Sequence, residues 1–355
     1  MSLGQGLYHK RGLWLNGDLM AAEMAQQPDV LTGLIERRAE VTRELAAVVT
    51  PTPLGIVLIA RRSSDHAAVY GRYVLEATTG LPVALAAPSL HTLYDIEPRC
   101  EGFLAVGVSQ SGRTPEIVTV LERLVAGGAR AIAMTNEPES PLGHIAEAVI
   151  SLGAGQERAV PATKTFTAQL VAFAFLAEAL GRAPWDSDDW SRLPDAVAQI
   201  LDDPEPPVAV AQAIGHAEGL LTVGRGYMYC VALEAALKLK ETTSLLSEGY
   251  SAADLRHGPF AVVERDFPVL SFSAAGPAAR DMLELTQWLR QSRGAHVLRV
   301  SEDPGADLPL PRMEAEALAP IAAVVRAQQV AYRLALYRGM DPDAPVGLTK
   351  VTPTR

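Results

Sequence analysis

The sequence predicts an α/β protein in which two parallel-sheet units follow one another. Two observations carry that expectation. Continuous apolar runs such as LGIVLIA (Leu54 to Ala60) and FLAVGVS (Phe103 to Ser109) alternate with helix-period segments, as in strands buried on both faces of a parallel sheet. After a Pro- and Asp-rich stretch from about Ala183 to Pro207, the strand-first pattern begins again and again closes with a long helix.

Each element has its own warrant. In the segment from Pro28 to Ala47, Val30, Leu34, Val41 and Leu45 fall near helical spacing, so a helix precedes the first strand. A helix is expected from about Asp65 to Ala77, then a short apolar run from Pro82. Beyond Ser109 come a helix from Pro115 to Ala126, the strand RAIAMT, the short strand AVISL and a long helix from Thr163 to Leu180. Residues 184–207 read as a linker with one helix inside it, because Pro and Asp crowd there. The second unit reads as strand LLTVGR, helix Cys230 to Thr243, strand FPVLSFS, helix Pro277 to Arg293, strand AHVLRV and helix Leu318 to Tyr337. The expected organisation is a helical arm over 1–48, units over 49–183 and 208–340, and a Pro-rich extended tail over 341–355. The tail has little periodic apolar pattern, so removal of Gly347 to Arg355 is expected to leave stability nearly unchanged.

Length and composition narrow the function classes. A chain of 355 residues makes roughly two domains and can bury a core without staples. With 31 Lys and Arg against 41 Asp and Glu the net charge is −10, and no basic run exceeds a pair, so no nucleic-acid partner is expected. The most apolar stretch, AQLVAFAFLAEAL, is shorter than the roughly 20 residues a membrane span needs and carries Glu178. Cys100 and Cys230 form no C-x-x-C pair, and no two His stand four apart. The expectation is a cytoplasmic protein with no metal site.

One loop carries the sharpest local chemistry. In VGVSQSGRTPEIV, a strand ends at Ser109, Gln110, Ser111 and Gly112, and Thr114-Pro115-Glu116 opens a helix. Thr114 fits the N-cap and Pro115 the first helical position, where a missing N–H is harmless. Hydroxyls and free helix N–H groups at the carboxyl end of a strand suit a monophosphate, and the loop lacks the Gly-Lys-Ser/Thr of a nucleotide P-loop. The same residues also describe an ordinary capped turn. Gly224-Arg225-Gly226 lacks the third glycine of a dinucleotide fingerprint, so no nicotinamide cofactor is expected. Glu234, Lys238 and Glu241 share a helical face, which on spacing alone describes a solvated ion-pair stripe. Glu241 and His257 could form an acid/base pair if the chain folds back, and Lys350 by itself reads as an exposed terminal lysine.

Together, SQSGRTPE, AVPATKTFTAQL, ALEAALKLKETT, ADLRHGP and DAPVGLTKV resemble the sugar-isomerase (SIS) family, in order and spacing, over nearly the whole chain from about residue 30. The likeness is greatest to the isomerase half of glucosamine-6-phosphate synthase and to stand-alone SIS-type deaminases. It implies two SIS domains, each a parallel five-stranded sheet between helices. It further implies that Ser109, Gln110, Ser111 and Thr114 bind a sugar phosphate, that Ser63 and Ser64 form a polar turn beside it, and that Val160 and Ala162 border the substrate. Glu241 matches the carboxylate that moves a proton between C1 and C2, and Lys238 the lysine one turn before it. His257 matches the ring-opening histidine, which in relatives reaches in from the neighbouring subunit of a homodimer. Lys350 matches the C-terminal lysine that engages the open-chain carbonyl.

No cofactor is implied, because proton transfer through an enediol or enolamine needs a carboxylate and a nearby cation. The expected reaction is isomerisation or deamination of an aminosugar phosphate, glucosamine 6-phosphate to fructose 6-phosphate and ammonia. The alternatives are a deglycase of phosphosugar conjugates and a non-catalytic phosphosugar sensor. Three departures from the family pattern stand out. The glutamine amidotransferase portion is expected to be absent, Arg62 stands where relatives often have Gly, and Pro161 replaces a commoner small residue.

Overall fold

A computed structural model describes residues 17–350; the first sixteen residues of the N-terminal arm and the last five of the tail lie outside it. Three helices lead in, α1 (Asp18–Ala25), α2 (Gln27–Glu36) and α3 (Arg38–Val48). The first unit follows as β1 (Ile56–Ile59), α4 (Ser63–Thr79), β2 (Val83–Leu85), α5 (Pro88–Thr92), β3 (Leu104–Val108), α6 (Pro115–Ala126), β4 (Arg130–Thr135), α7 (Pro141–Ile145), β5 (Ala148–Ser151) and α8 (Lys164–Leu180). Then come α9 (Ser187–Leu201) and α10 (Glu205–Ala213). The second unit is β6 (Gly219–Gly224), α11 (Tyr229–Thr243), β7 (Leu246–Ser251), α12 (Ala252–Arg256), β8 (Pro268–Phe272), α13 (Ala279–Trp288), β9 (His296–Ser301), β10 (Leu308–Pro309) and α14 (Ala319–Tyr337).

Both sheets are five-stranded and wholly parallel, ordered β2-β1-β3-β4-β5 and β7-β6-β8-β9-β10. The two orders are the same, 2-1-3-4-5, so the chain carries one topology twice. In the first sheet Ile56 stands beside Leu104 and Leu104 beside Arg130; in the second Leu221 stands beside Val269 and Val269 beside Val297. Strand β3 is buried along its whole length, which is why its sequence does not alternate.

The two units share one core. Helix α4 packs on α8 and α11 on α14, and the pairs meet through α4 with α11 and α8 with α14. Gly71 of α4 makes the first pairing close, since a Cβ there would stand 2.5 Å from the ring of Phe173. Tyr70 is fully buried, and its hydroxyl donates to the Ala317 carbonyl of the second unit at 2.9 Å. Helix α8 is buried from Lys164 through Ala177 because neighbours cover it on all sides.

Several elements differ from the sequence reading. The single helix expected over Pro28 to Ala47 is two, broken at Arg37. Residues 184–207 are mostly helix: α9 is closed by a capping box between Asp186 and Asp189, and α10 begins at Glu205. Trp190 of α9 packs at a tilt against Phe175, and the indoles of Trp185 and Trp190 both donate to Glu178, so this segment is fastened to the first unit. Strand β7 and the two-residue β10 have no counterpart in the sequence reading, and α13 passes into a π turn at Leu289–Arg293.

Candidate active site

The site lies in the crevice outside the carboxyl ends of β1 and β3, where neighbouring strands lead to opposite sides of the sheet. After β1 the chain turns sharply at Arg62, whose φ of 58° and ψ of −130° is a conformation that side chains with a Cβ seldom take. Ser63 and Ser64 then start α4 and are buried. Ser63 Oγ donates to Glu234 Oε1 at 2.8 Å, and Gln169 Nε2 donates to Ser64 Oγ at 2.9 Å.

After β3 the chain runs through Ser109 to Thr114. Gly112 has φ 61°, and a Cβ on it would fall 1.9 Å from Ser140 Oγ, so the loop needs glycine twice over. Thr114 takes the N-cap position with Pro115 behind it, as expected. Its hydroxyl does not cap the helix; it lies 3.0 Å from Ser109 Oγ. The first turn of α6 therefore has no side-chain acceptor from its cap and keeps the character of an anion cradle. Glu116 holds the Arg61 guanidinium by a two-point contact at 2.7 and 2.8 Å, placing that cation on the crevice wall.

Helix α11 supplies the floor. Lys238 is fully buried, with its ammonium 3.4 Å from Glu234 Oε1 and 2.5 Å from Glu241 Oε2. Burial lowers the Lys238 pKa, but the two carboxylates outweigh it and hold the group above the usual lysine value. Burial likewise pushes Glu234 up, while Lys238, His66 and Ser63 bring its carboxyl below the ordinary range. The stripe read from spacing as solvated is thus internal, because α4 and α14 cover α11.

The tail closes the site. Residues 341–350 form neither helix nor strand, and Lys350 Nζ donates to Glu157 Oε2 and to the Ala159 carbonyl, both at 2.8 Å. Glu157 also accepts from Thr163 N, Thr165 N and Thr165 Oγ1. Burial raises its pKa, but Lys350 and these donors leave it below the usual carboxylate range. Helix α1 braces both the neighbouring loop and the segment around Asp343: Glu23 of α1 accepts from Arg158 N and Ala159 N, and Asp343 accepts from Leu19 N and Met20 N. Val160 N donates to the Asp343 carbonyl at 2.9 Å.

These elements enclose a cavity of about 150 Å³. Ser63, Ser64, Ser109, Gln110, Ser111, Thr114, Val160, Ala162, Lys238, Glu241 and Lys350 all line it. His257 does not: it is exposed just past α12, so no pair with Glu241 forms within one chain. Lys350, which reads as a solvated terminus, is about three-quarters buried at the site. Arg61, Arg62 and Glu157 also line the cavity. Arg61 and Glu157 carry no motif that marks them in the sequence, and Arg62 stands out there only as a departure from the family pattern. Among the described residues, no group of three or more His, Cys, Asp or Glu could hold a metal ion, and no helix is long and apolar enough to cross a membrane.

The profile of the SIS domain matches residues 55–179 and 214–335, one stretch for each sheet. The chain belongs to the SIS family. Among similar proteins is a glutamine–fructose-6-phosphate aminotransferase (isomerizing) from Gloeobacter violaceus, 34% identical over 97% of this chain and 59% of its own length. The chain thus spans about three-fifths of that relative. A candidate phosphosugar isomerase from Silicibacter pomeroyi superposes with TM-score 0.83 at 33% identity, over 93% of this chain and 100% of that one. A glucosamine-6-phosphate deaminase from Thermotoga maritima superposes with TM-score 0.72 at 25% identity, over 90% and 99% of the two chains. The two sheets are two tandem SIS domains.

Proposed function

We propose that this SIS protein converts glucosamine 6-phosphate and water to fructose 6-phosphate and ammonia. The observation that carries the reading is the Lys238–Glu241 ion pair in a cavity that Ser109, Gln110, Ser111 and Thr114 also line. In the proposed complex the sugar phosphate is held by Ser109, Gln110, Ser111 and Thr114, with Ser63 and Ser64 beside it, while Val160 and Ala162 border the carbon chain. Glu241 takes the proton from C2 of the opened aldose and returns it to C1. The enolamine becomes a C2 imine, water adds, and ammonia leaves. Lys238 and Lys350 offset negative charge that builds on oxygen during the shift.

In this reading His257 serves ring opening in the site of a second copy, so the working unit is a homodimer. Its exposure in the single chain supports that assignment. The buried free thiols Cys100 and Cys230 support a reducing, cytoplasmic setting. The deciding experiment follows ammonia and ketose release from a panel of aminosugar phosphates and their N-substituted conjugates. Release from glucosamine 6-phosphate alone is the expected result; turnover confined to the conjugates, or none anywhere, would refute the assignment. Mixing Glu241→Gln with His257→Ala subunits should restore part of the activity.

A further inference from the structure

The network that holds Lys238 does not end at Glu234. His66 stands one turn after Ser63 on α4, and its Nδ1 lies 2.8 Å from Glu234 Oε2. An ionised carboxylate only accepts, so Nδ1 carries the proton in this contact. Glu234 therefore has one oxygen on Ser63 and Lys238 and the other on His66. His66 does not line the sugar cavity. It opens onto a separate hollow of about 340 Å³ that Lys240, Glu248 and Tyr250 also line.

We propose that His66 is a positioning residue, which acts on Glu241 through Glu234 and Lys238. The inference rests on the reading of Glu241 as the proton-transfer carboxylate. The physical reason is a division of charge. A fully buried carboxylate keeps its charge only if donors and cations surround it. Without the His66 donor, Glu234 keeps two of its three partners and takes up a proton more readily, and a neutral carboxyl no longer holds the ammonium. Lys238 then belongs wholly to Glu241, and a carboxylate locked in a one-to-one buried ion pair is a weaker base. With His66 in place the ammonium is shared between Glu234 and Glu241, and it meets Glu241 through Oε2.

The test compares wild type, His66→Ala and His66→Asn, since asparagine can return an N–H near the Nδ1 position. His66→Ala should lower kcat for glucosamine 6-phosphate about tenfold or more, with KM within about twofold, and His66→Asn should recover most of it. A second readout needs no turnover. With lysine labelled at Nζ, the sequence offers the signals of Lys10, Lys164, Lys238, Lys240 and Lys350. The Lys238 signal should shift in His66→Ala and return in His66→Asn, while that of Lys350 stays. If the alanine protein does not fold, His66→Leu keeps the bulk without the donor and takes its place. Wild-type kcat with an unmoved Lys238 signal would overturn the proposal. Equal losses in the alanine and asparagine proteins, with the Lys350 signal displaced too, would also overturn it, by showing a merely structural role. A wild-type protein without turnover would refute the reaction, and the Lys238 signal would still decide the role of His66.

Discussion

Lys350 and Glu157 come from segments nearly two hundred positions apart and meet at 2.8 Å, the ammonium one-quarter exposed and the carboxylate buried. Their contact fixes the tail over the crevice. It also changes what removing the tail should do. The sparse apolar pattern of residues 341–355 suggests a stability-neutral end, but loss of Lys350 leaves a buried carboxylate without its cation.

Lys350→Met should therefore destabilise the protein by roughly 2 kcal/mol, below the 3–5 kcal/mol of a fully buried broken pair because threonine donors still serve Glu157. Adding Glu157→Gln should return part of that loss. Chemical denaturation of the two single variants and the double variant measures it; a Lys350→Met protein as stable as wild type would contradict it.

The same pair sets a pH dependence. The Glu157 carboxyl lies below its ordinary 4.5, so the native state binds fewer protons there than the unfolded chain. The stabilisation it contributes is complete above about pH 4.5 and fades as pH falls through the lowered value. The Lys350–Glu157 coupling energy, from the double-mutant cycle repeated at several pH values, should be constant near neutrality and vanish in acid. The cycle cancels carboxyls that burial shifts the other way and that do not act on the pair, such as Asp65.

Glu241→Gln keeps the size of the side chain and removes the base. It should lower turnover by a factor of about 10² to 10⁴ while leaving the melting temperature within a few degrees. Steady-state kinetics with calorimetry tests both halves of the statement.

Arg62 holds a left-handed backbone that costs on the order of 1–3 kcal/mol, while glycine there would forfeit roughly 0.5–1 kcal/mol of entropy. Arg62→Gly should raise stability by about 1 kcal/mol. It also removes the contact of Arg62 Nη1 with the Thr349 carbonyl, so KM for the sugar phosphate should rise as the tail loosens. A fall in stability would show that the guanidinium contacts matter more than the turn.

Much of the fold is legible in the amino-acid sequence. Strand β3, Thr114 and Pro115 announce themselves because strand, cap and first turn are local decisions. The fate of Glu234 and Lys238 is not local: their periodicity is that of a surface stripe, and only the packing of α4 and α14 against α11 makes it internal. Glu157 and His66 sit in no motif, and their roles come from partners far along the chain. The Pro- and Asp-rich segment misleads for the opposite reason. Its aspartates cap α9 and its tryptophans bury, so breaker composition marks helix ends there rather than a loop.

The shared core has a historical consequence. A chain carrying only one sheet and its long helix would leave the α4 and α8 face open to water, an apolar surface too large for a solitary soluble domain. The identical strand order of the two halves means that a second copy of the same half is the natural cover for it. Joining the copies in one gene turns an association that dilution can undo into a permanent one. It also frees the two halves to diverge, so that one lends the 109–114 loop to the shared cavity and the other the Lys238–Glu241 pair.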